Sequence, residues 1–183
     1  MRDELWISVD VETSGPSPST GSLISIGACR VADPSDGFSV ELQPLADRPW
    51  SDDAEKIHGL SRERLTVTGV DPADAMIAFE RWILATCGPA QPVFVALNAP
   101  FDWMFVADYA WRFLGRNPFG HTAIDIKALY LGRHLAEVRR WSRTSRISML
   151  ERYPVDLPHT HNALDDAREQ ATLVQRLLDG VPD

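Results

Sequence analysis

Leu5-Trp6-Ile7-Ser8-Val9-Asp10-Val11-Glu12 (residues 5–12) decides the fold. Its side chains alternate, placing Leu5, Ile7, Val9 and Val11 on one face and Trp6, Ser8, Asp10 and Glu12 on the other. A period of two is the signature of a strand. This one carries two carboxylates on a single face, two residues apart. At ~4 Å two like charges repel by about 4 kcal/mol at an effective dielectric of about 20. A hard divalent cation such as Mg2+ or Mn2+, bound through oxygens, is the usual compensation.

Working outward, Thr13-Ser14-Gly15-Pro16-Ser17-Pro18-Ser19 has the composition of a turn. Residues 22–32 and 38–43 read as two further strands, joined by the turn Asp33-Pro34-Ser35-Asp36-Gly37. Pro72 opens a predicted helix over 72–85 with Met76, Phe79 and Ile83 on one face. Residues 92–97 form a short apolar strand, followed by a helix from about Pro100 to Leu114 that Gly115 ends. Residues 123–129 begin as a strand and can run on into a helix. A last helix covers about 162–179, with Ala167, Ala171, Val174 and Leu178 as its stripe and Asp165 and Asp166 in its first turn. The order predicts an α/β chain, a mixed five-stranded sheet flanked by helices, in one domain over 1–183.

Composition excludes several classes. Hydrophobic residues are 44% and charged residues 24% of 183, so wholesale disorder is excluded. Cys29 and Cys87 lie far apart, with no C-x-x-C site and no disulfide scaffold. No apolar run approaches the roughly 20 residues needed to span a bilayer, and Met1-Arg2-Asp3-Glu4-Leu5 lacks a signal-peptide core. The expectation is a cytoplasmic, reduced protein without membrane partners. The formal charge of −8 argues against a protein that coats duplex DNA. That average conceals an asymmetry. The basic residues are 16 Arg and 2 Lys, and seven of them (Lys127, Arg133, Arg139, Arg140, Arg143, Arg146, Arg152) lie between 127 and 152 against Glu137 and Glu151. The segment carries +5 and the remainder −13, which points to a patch for an anionic partner.

Two more acids stand at the ends of predicted elements. Asp102 follows the strand 92–97 at the start of a helix, and His161-Asn162-Ala163-Leu164-Asp165-Asp166 opens the last helix. Each alone is a common helix N-terminal acid. Spacing alone leaves Asp165 against Asp166, and His159 against His161, undecided.

These stretches resemble the motifs of a known family. Asp10-Val11-Glu12-Thr13-Ser14-Gly15 looks like the first motif of the DEDDh 3'–5' exonucleases, the group of DnaQ-like proteins, RNase T and oligoribonuclease. Asn98-Ala99-Pro100-Phe101-Asp102 is similar to the second motif, and His161-Asn162-Ala163-Leu164-Asp165-Asp166 to the third, H-x-A-x-x-D. Ile57-His58-Gly59-Leu60 matches a subsidiary signature, and Asp125 falls where relatives often have an Asp. Leu97 departs from the pattern, standing where many relatives have a His.

The resemblance implies an RNase H-like fold. It implies Asp10, Glu12, Asp102 and Asp166 as ligands of two Mg2+ ions, with Mn2+ able to substitute, and His161 as general base. An imidazole suits that task because it titrates near pH ~6.5 when unperturbed. The loop from Tyr153 to Thr160, with Pro154 and Pro158, is expected to carry His161 over bound substrate. Thr13, His58 and Phe101 would hold the terminal nucleotide, with Trp50 and Trp103 as further candidates for stacking. The implied activity is metal-dependent hydrolysis from the 3' end of single-stranded or short RNA or DNA, releasing nucleoside 5'-monophosphates, in a chain that can form a homodimer. The rivals are a catalytically silent nucleic-acid-binding module on the same fold and an RNase H-like endonuclease.

Overall fold

In the computed structural model, which describes residues 3–156 and 160–180, β1 (Glu4–Thr13) is the centre of the sheet. It pairs antiparallel with β2 (Leu23–Arg30), which pairs antiparallel with β3 (Gly37–Glu41). On its other side β1 runs parallel to β4 (Gln91–Ala96), and β4 to β5 (Ala123–Asp125). The order is β3-β2-β1-β4-β5, the mixed five-stranded sheet expected.

Both faces are covered. Ile7, Val9 and Val11 pack with α3 (Pro72–Cys87) and α4 (Ala99–Leu114) in one core layer. The opposite layer holds Val95, Ile126, Tyr130, Met149 and, from α8 (Ala163–Asp179), Ala167, Ala171, Val174 and Leu177; Leu178, expected in that stripe, is exposed instead, because the helix turns Leu177 and not Leu178 onto the sheet. Trp103, one of the stacking candidates, belongs to the first layer: its ring meets Phe94 edge-on at 5.2 Å. Cys29 and Cys87 are buried and unpaired.

Besides the helix into which residues 123–129 were expected to run, five helices are additional to those expected. α1 (Asp52–His58) and α2 (Arg62–Thr68) fill the connection after β3, with Ser51 and Ser61 as their N-caps. α5 (Ile126–Arg133) follows β5 directly, then come α6 (Leu135–Val138), a one-turn 3-10 helix (Trp141–Arg143) and α7 (Arg146–Arg152). The stretch beginning at 123 is therefore a three-residue strand that turns into a helix, with Asp125 as N-cap. Among the described residues no helix is long and apolar enough to cross a membrane.

Two approaches of backbone to backbone fix the end of the sheet. Gly27 lies opposite Asp10 in the β1–β2 register. A Cβ there would stand 2.0 Å from the carbonyl carbon of Ala163, so only glycine lets the first turn of α8 rest on β2. In the turn after β1, a Cβ on Gly15 would stand 2.6 Å from the Thr20 carbonyl oxygen.

Candidate active site

β1 outlasts its parallel neighbour. Its pairing with β4 ends at Ser8, while its pairing with β2 continues to Thr13 through an irregularity between Glu12 and Thr13. The Val11 N–H is thus left without a ladder partner on the β4 side. Asp102, in the first turn of α4, supplies one: its Oδ1 accepts that N–H at 3.2 Å. On the other flank, α8 brings Asp166 over the same strand end. Asp10, Glu12, Asp102, Asp166 and His161 all line one cavity of about 200 Å3, together with Leu97 and Asn98.

The two open choices have different outcomes. Asp166 is 2% exposed and faces the cavity, whereas Asp165 turns outward to Thr160 and Arg168. His161 lines the cavity from the residue before the N-cap Asn162, while His159 lies outside the described residues. So do Leu157 and Pro158 of the loop expected to carry His161. Of the non-glycine residues with positive φ, Asn98 (64°) and His161 (54°) are both in the cavity wall. Left-handed backbone is uncommon outside glycine, and strain of this kind gathers at sites of function.

The electrostatics are those of acids forced together. Burial, then the neighbouring Asp102, Glu12 and Asp166 carboxylates, raise the Asp10 pKa well above the usual carboxylate range. Burial, with Asp166 and Asp102, pushes Glu12 up to about 8. Burial also pushes Asp102 up to about 8, against the opposing hydrogen bond from Val11. Ligand atoms of Glu12, His161 and Asp166 lie within 4.8 Å of one another. Oxygens in such number, with one imidazole nitrogen, match the donor set of a hard divalent cation.

One side chain that sequence reasoning passed over organises this cluster. Gln170 is buried, donates from Nε2 to Asp10 Oδ1 at 2.6 Å and accepts the Leu97 N–H at Oε1 at 2.9 Å. It spans the ends of β1 and β4 from α8. Its one sequence signal is position, since it lies four residues after Asp166 on the same helix face.

Beside the acidic cavity is a larger one of about 500 Å3, lined by Thr13, Gly15, Pro16, Ile57, His58 and Phe101 among others. Glu12 and Phe101 border both. Thr13, His58 and Phe101, the three residues implied for the terminal nucleotide, meet here. Trp50 does not line it; it stands edge-on to His58 with centroids 6.2 Å apart and donates from Nε1 to Glu55. His58 Nδ1 accepts the Leu60 N–H at 3.0 Å, which leaves the ring proton on Nε2 in the neutral tautomer. That nitrogen is buried near the Thr13 backbone, without a well-formed hydrogen bond among the described residues. Burial lowers the pKa of His58, favouring the neutral ring. Asp125, at the end of β5, accepts the N–H groups of Asn98 and Lys127 and so props the β4–α4 turn.

The basic segment divides. Arg146 is paired with Glu169 of α8, and Arg152 with Glu137. Arg139, Arg140 and Arg143 are exposed and make no ion pair among the described residues.

Comparison with known proteins bears on the fold and the family. The RNase T exonuclease family model matches residues 7–174. The 3'-5' DNA exonuclease Cap18 of Escherichia coli is 44% identical over 180 residues, covering 96% of this chain and 92% of that protein. The nuclease domain of 3'hExo, a DEDDh family member bound to rAMP, has a similar structure: TM-score 0.77 at 17% identity, over 98% of this chain and 94% of that one. E. coli Exonuclease I in complex with a dT13 oligonucleotide gives a TM-score of 0.69 at 16% identity, over 94% of this chain but 40% of that one. The two structures speak to the fold, which is RNase H-like. The matched family model, covering most of the chain, and the similarity to Cap18 establish that the chain belongs to the exonuclease family, as a 3'–5' exonuclease.

Proposed function

We propose that the protein removes nucleotides one at a time from the 3' end of single-stranded DNA, releasing nucleoside 5'-monophosphates, with two Mg2+ ions held by Asp10, Glu12, Asp102 and Asp166. What carries the reading is the meeting of four carboxylates and His161 in one small cavity that opens beside a larger, partly apolar one. The choice of DNA rests on the similarity to the E. coli DNA exonuclease.

The bound ions would lower the pKa of the attacking water, stabilise the leaving oxygen and cancel the repulsion among the acids. Asp102 and Gln170 pre-set the cluster, one through Val11 and one through Asp10. His161 takes the proton of the attacking water at a ring nitrogen. Thr13, Phe101 and Ile57 receive the terminal nucleotide, and the Nε2–H of His58 donates to an oxygen or ring nitrogen of it. α1 walls the cavity on one side, which suits removal of an end and not an internal cut.

The test is a 5'-labelled 20-mer incubated with Mg2+, alongside an RNA oligomer of matched sequence. A ladder shortening by single nucleotides on DNA, faster than on RNA, is expected. Asp10→Asn abolishes it, and His161→Ala lowers kcat by about 10²–10⁴-fold. Internal cuts, or a ladder that survives Asp10→Asn, would overturn the reading. A faster ladder on RNA would move the substrate and leave the chemistry.

A further inference from the structure

The acidic cavity has a second neighbour, on the side away from the nucleotide cavity. The ends of β1, β4 and β5 lie in that order along the sheet, about 4.8 Å apart per strand. Asn98 stands at the end of β4 and Asp125 at the end of β5. From the first turn of α5, Lys127 reaches back so that its Nζ lies 3.5 Å from Asn98 Oδ1, in the wall of the acidic cavity. The same ammonium lies over the ring of Trp141, 4.8 Å from its centroid. Trp141 is 49% exposed. By contrast, Trp6, Trp82 and Trp103 pack against the core.

The remaining basic residues sort by what holds them. Arg146 and Arg152 are engaged by Glu169 and Glu137. Arg133 lies against Gly180 at the far end of α8. Arg143 faces a separate groove with Glu137 and Glu151. Arg140 is exposed next to Trp141, and Arg139 before it has a left-handed backbone (φ 49°). In a chain with sixteen arginines, one of the two lysines thus sits between the acidic cavity and an open indole.

We propose that Lys127 and Trp141 form a ledge for the nucleotide on the 5' side of the scissile phosphate in a single strand. Trp141 stacks on its base, and Lys127 meets its phosphate. The proposal rests on the exonuclease reading for its direction. A strand whose terminal nucleotide fills the larger cavity, and whose scissile phosphate meets the acids, leaves across Asn98 toward β5. An aromatic face beside cations is the sequence-tolerant way to hold it.

Binding of 5'-fluorescein dT10, followed by anisotropy with Ca2+ over a series of salt concentrations, tests the ledge without turnover. Trp141→Ala is expected to weaken binding by about tenfold, with Trp141→Phe recovering most of it. Lys127→Ala should reduce the slope of log affinity against log salt by about 0.7. Arg143→Ala should leave both quantities as they are. In turnover, the ratio of kcat/KM for dT10 to that for thymidine 5'-p-nitrophenyl phosphate, which has no upstream nucleotide, should fall about tenfold in Trp141→Ala. Wild-type affinity in both Trp141→Ala and Lys127→Ala would overturn the ledge, as would an equal loss on both substrates. A wild-type chain that binds dT10 through Trp141 yet shortens no 3' end would sink the exonuclease reading and leave only a single-strand contact at Trp141 and Lys127, without its direction.

Discussion

Gln170 shows how much a single neutral side chain can do among acids. Its two hydrogen bonds hold Asp10 Oδ1 and the Leu97 N–H, and so tie together the strand ends that carry the site. The backbone of Leu97, the one departure from the motif pattern read in the sequence, is steadied from α8. With one Asp10 oxygen committed to Gln170, the other is left for a cation. Gln170→Leu keeps the volume and deletes both bonds. We expect kcat to fall about 10- to 100-fold, from loss of a group that orients a ligand. The Mg2+ concentration for half-maximal rate should rise at the same time, with KM for the oligomer little changed. Titrating activity against Mg2+ checks this. A fall in kcat with an unmoved Mg2+ requirement would show that Gln170 does not act through Asp10.

The same residue marks where sequence reading stops. Asp10 and Glu12 were legible because strand alternation puts them on one face. Asp102, His161 and Asp166 were legible through the resemblance, because periodicity does not separate Asp166 from Asp165, both first-turn acids of one helix. Gln170 and Trp141 were not legible as parts of a site, and Lys127 only as one of seven basic residues in a charged segment. Their partners are 160, 29 and 14 residues distant in sequence, and only the packing of α8 on β1 and of α5 behind β5 joins them.

At the scale of elements, the site depends on how closely α8 approaches β2. α8 was readable from its amphipathic stripe and its Asn162 cap, which accepts the N–H groups of Leu164 and Asp165. Its depth on the sheet was not, because Gly27 reads as one small residue within a strand. Gly27→Ala forces the first turn of α8 away from β2, and Asp166 and His161 with it. The expected cost is about 3 kcal/mol or more, at the upper end for overpacking. Activity should drop further than the folded fraction does, since sub-ångström placement of the acids is lost. Urea unfolding and single-turnover assays on one preparation measure the two losses side by side. Equal losses would mean that α8 is not the element that sets the site. α1 and α2 were missed for another reason: at seven residues each they are too short for a periodicity of 3.6 to register, and their only signals were the caps Ser51 and Ser61.

At the scale of the molecule, the charge of −8 divides into a buried acidic cluster, a partly neutralised basic segment and an acidic surface. The cluster makes the metal-free fold sensitive to pH. Asp10, Glu12 and Asp102 have folded-state pKa values raised above their ordinary ones, with Glu12 and Asp102 at about 8. Between about pH 4 and pH 8 the folded chain therefore holds more protons than the unfolded chain does. Stability is then full below the ordinary carboxylate pKa and is lost as pH rises toward 8. At roughly 2–4 °C per kcal/mol for a chain of this size, we expect Tm without metal to fall by about 10 °C between pH 5 and pH 8. Saturating Mg2+ should abolish most of that fall, because a cation replaces the protons, and its binding at pH 7 should release protons to the buffer. Asp10→Asn, which removes one of the crowded charges, should flatten the metal-free curve and raise Tm at pH 8 while abolishing activity. Differential scanning calorimetry at pH 5, 6, 7 and 8, with EDTA or Mg2+, follows all three effects. A metal-free Tm that is level or rising over this range would contradict the crowding of the acids and, with it, the reason the cavity needs a cation.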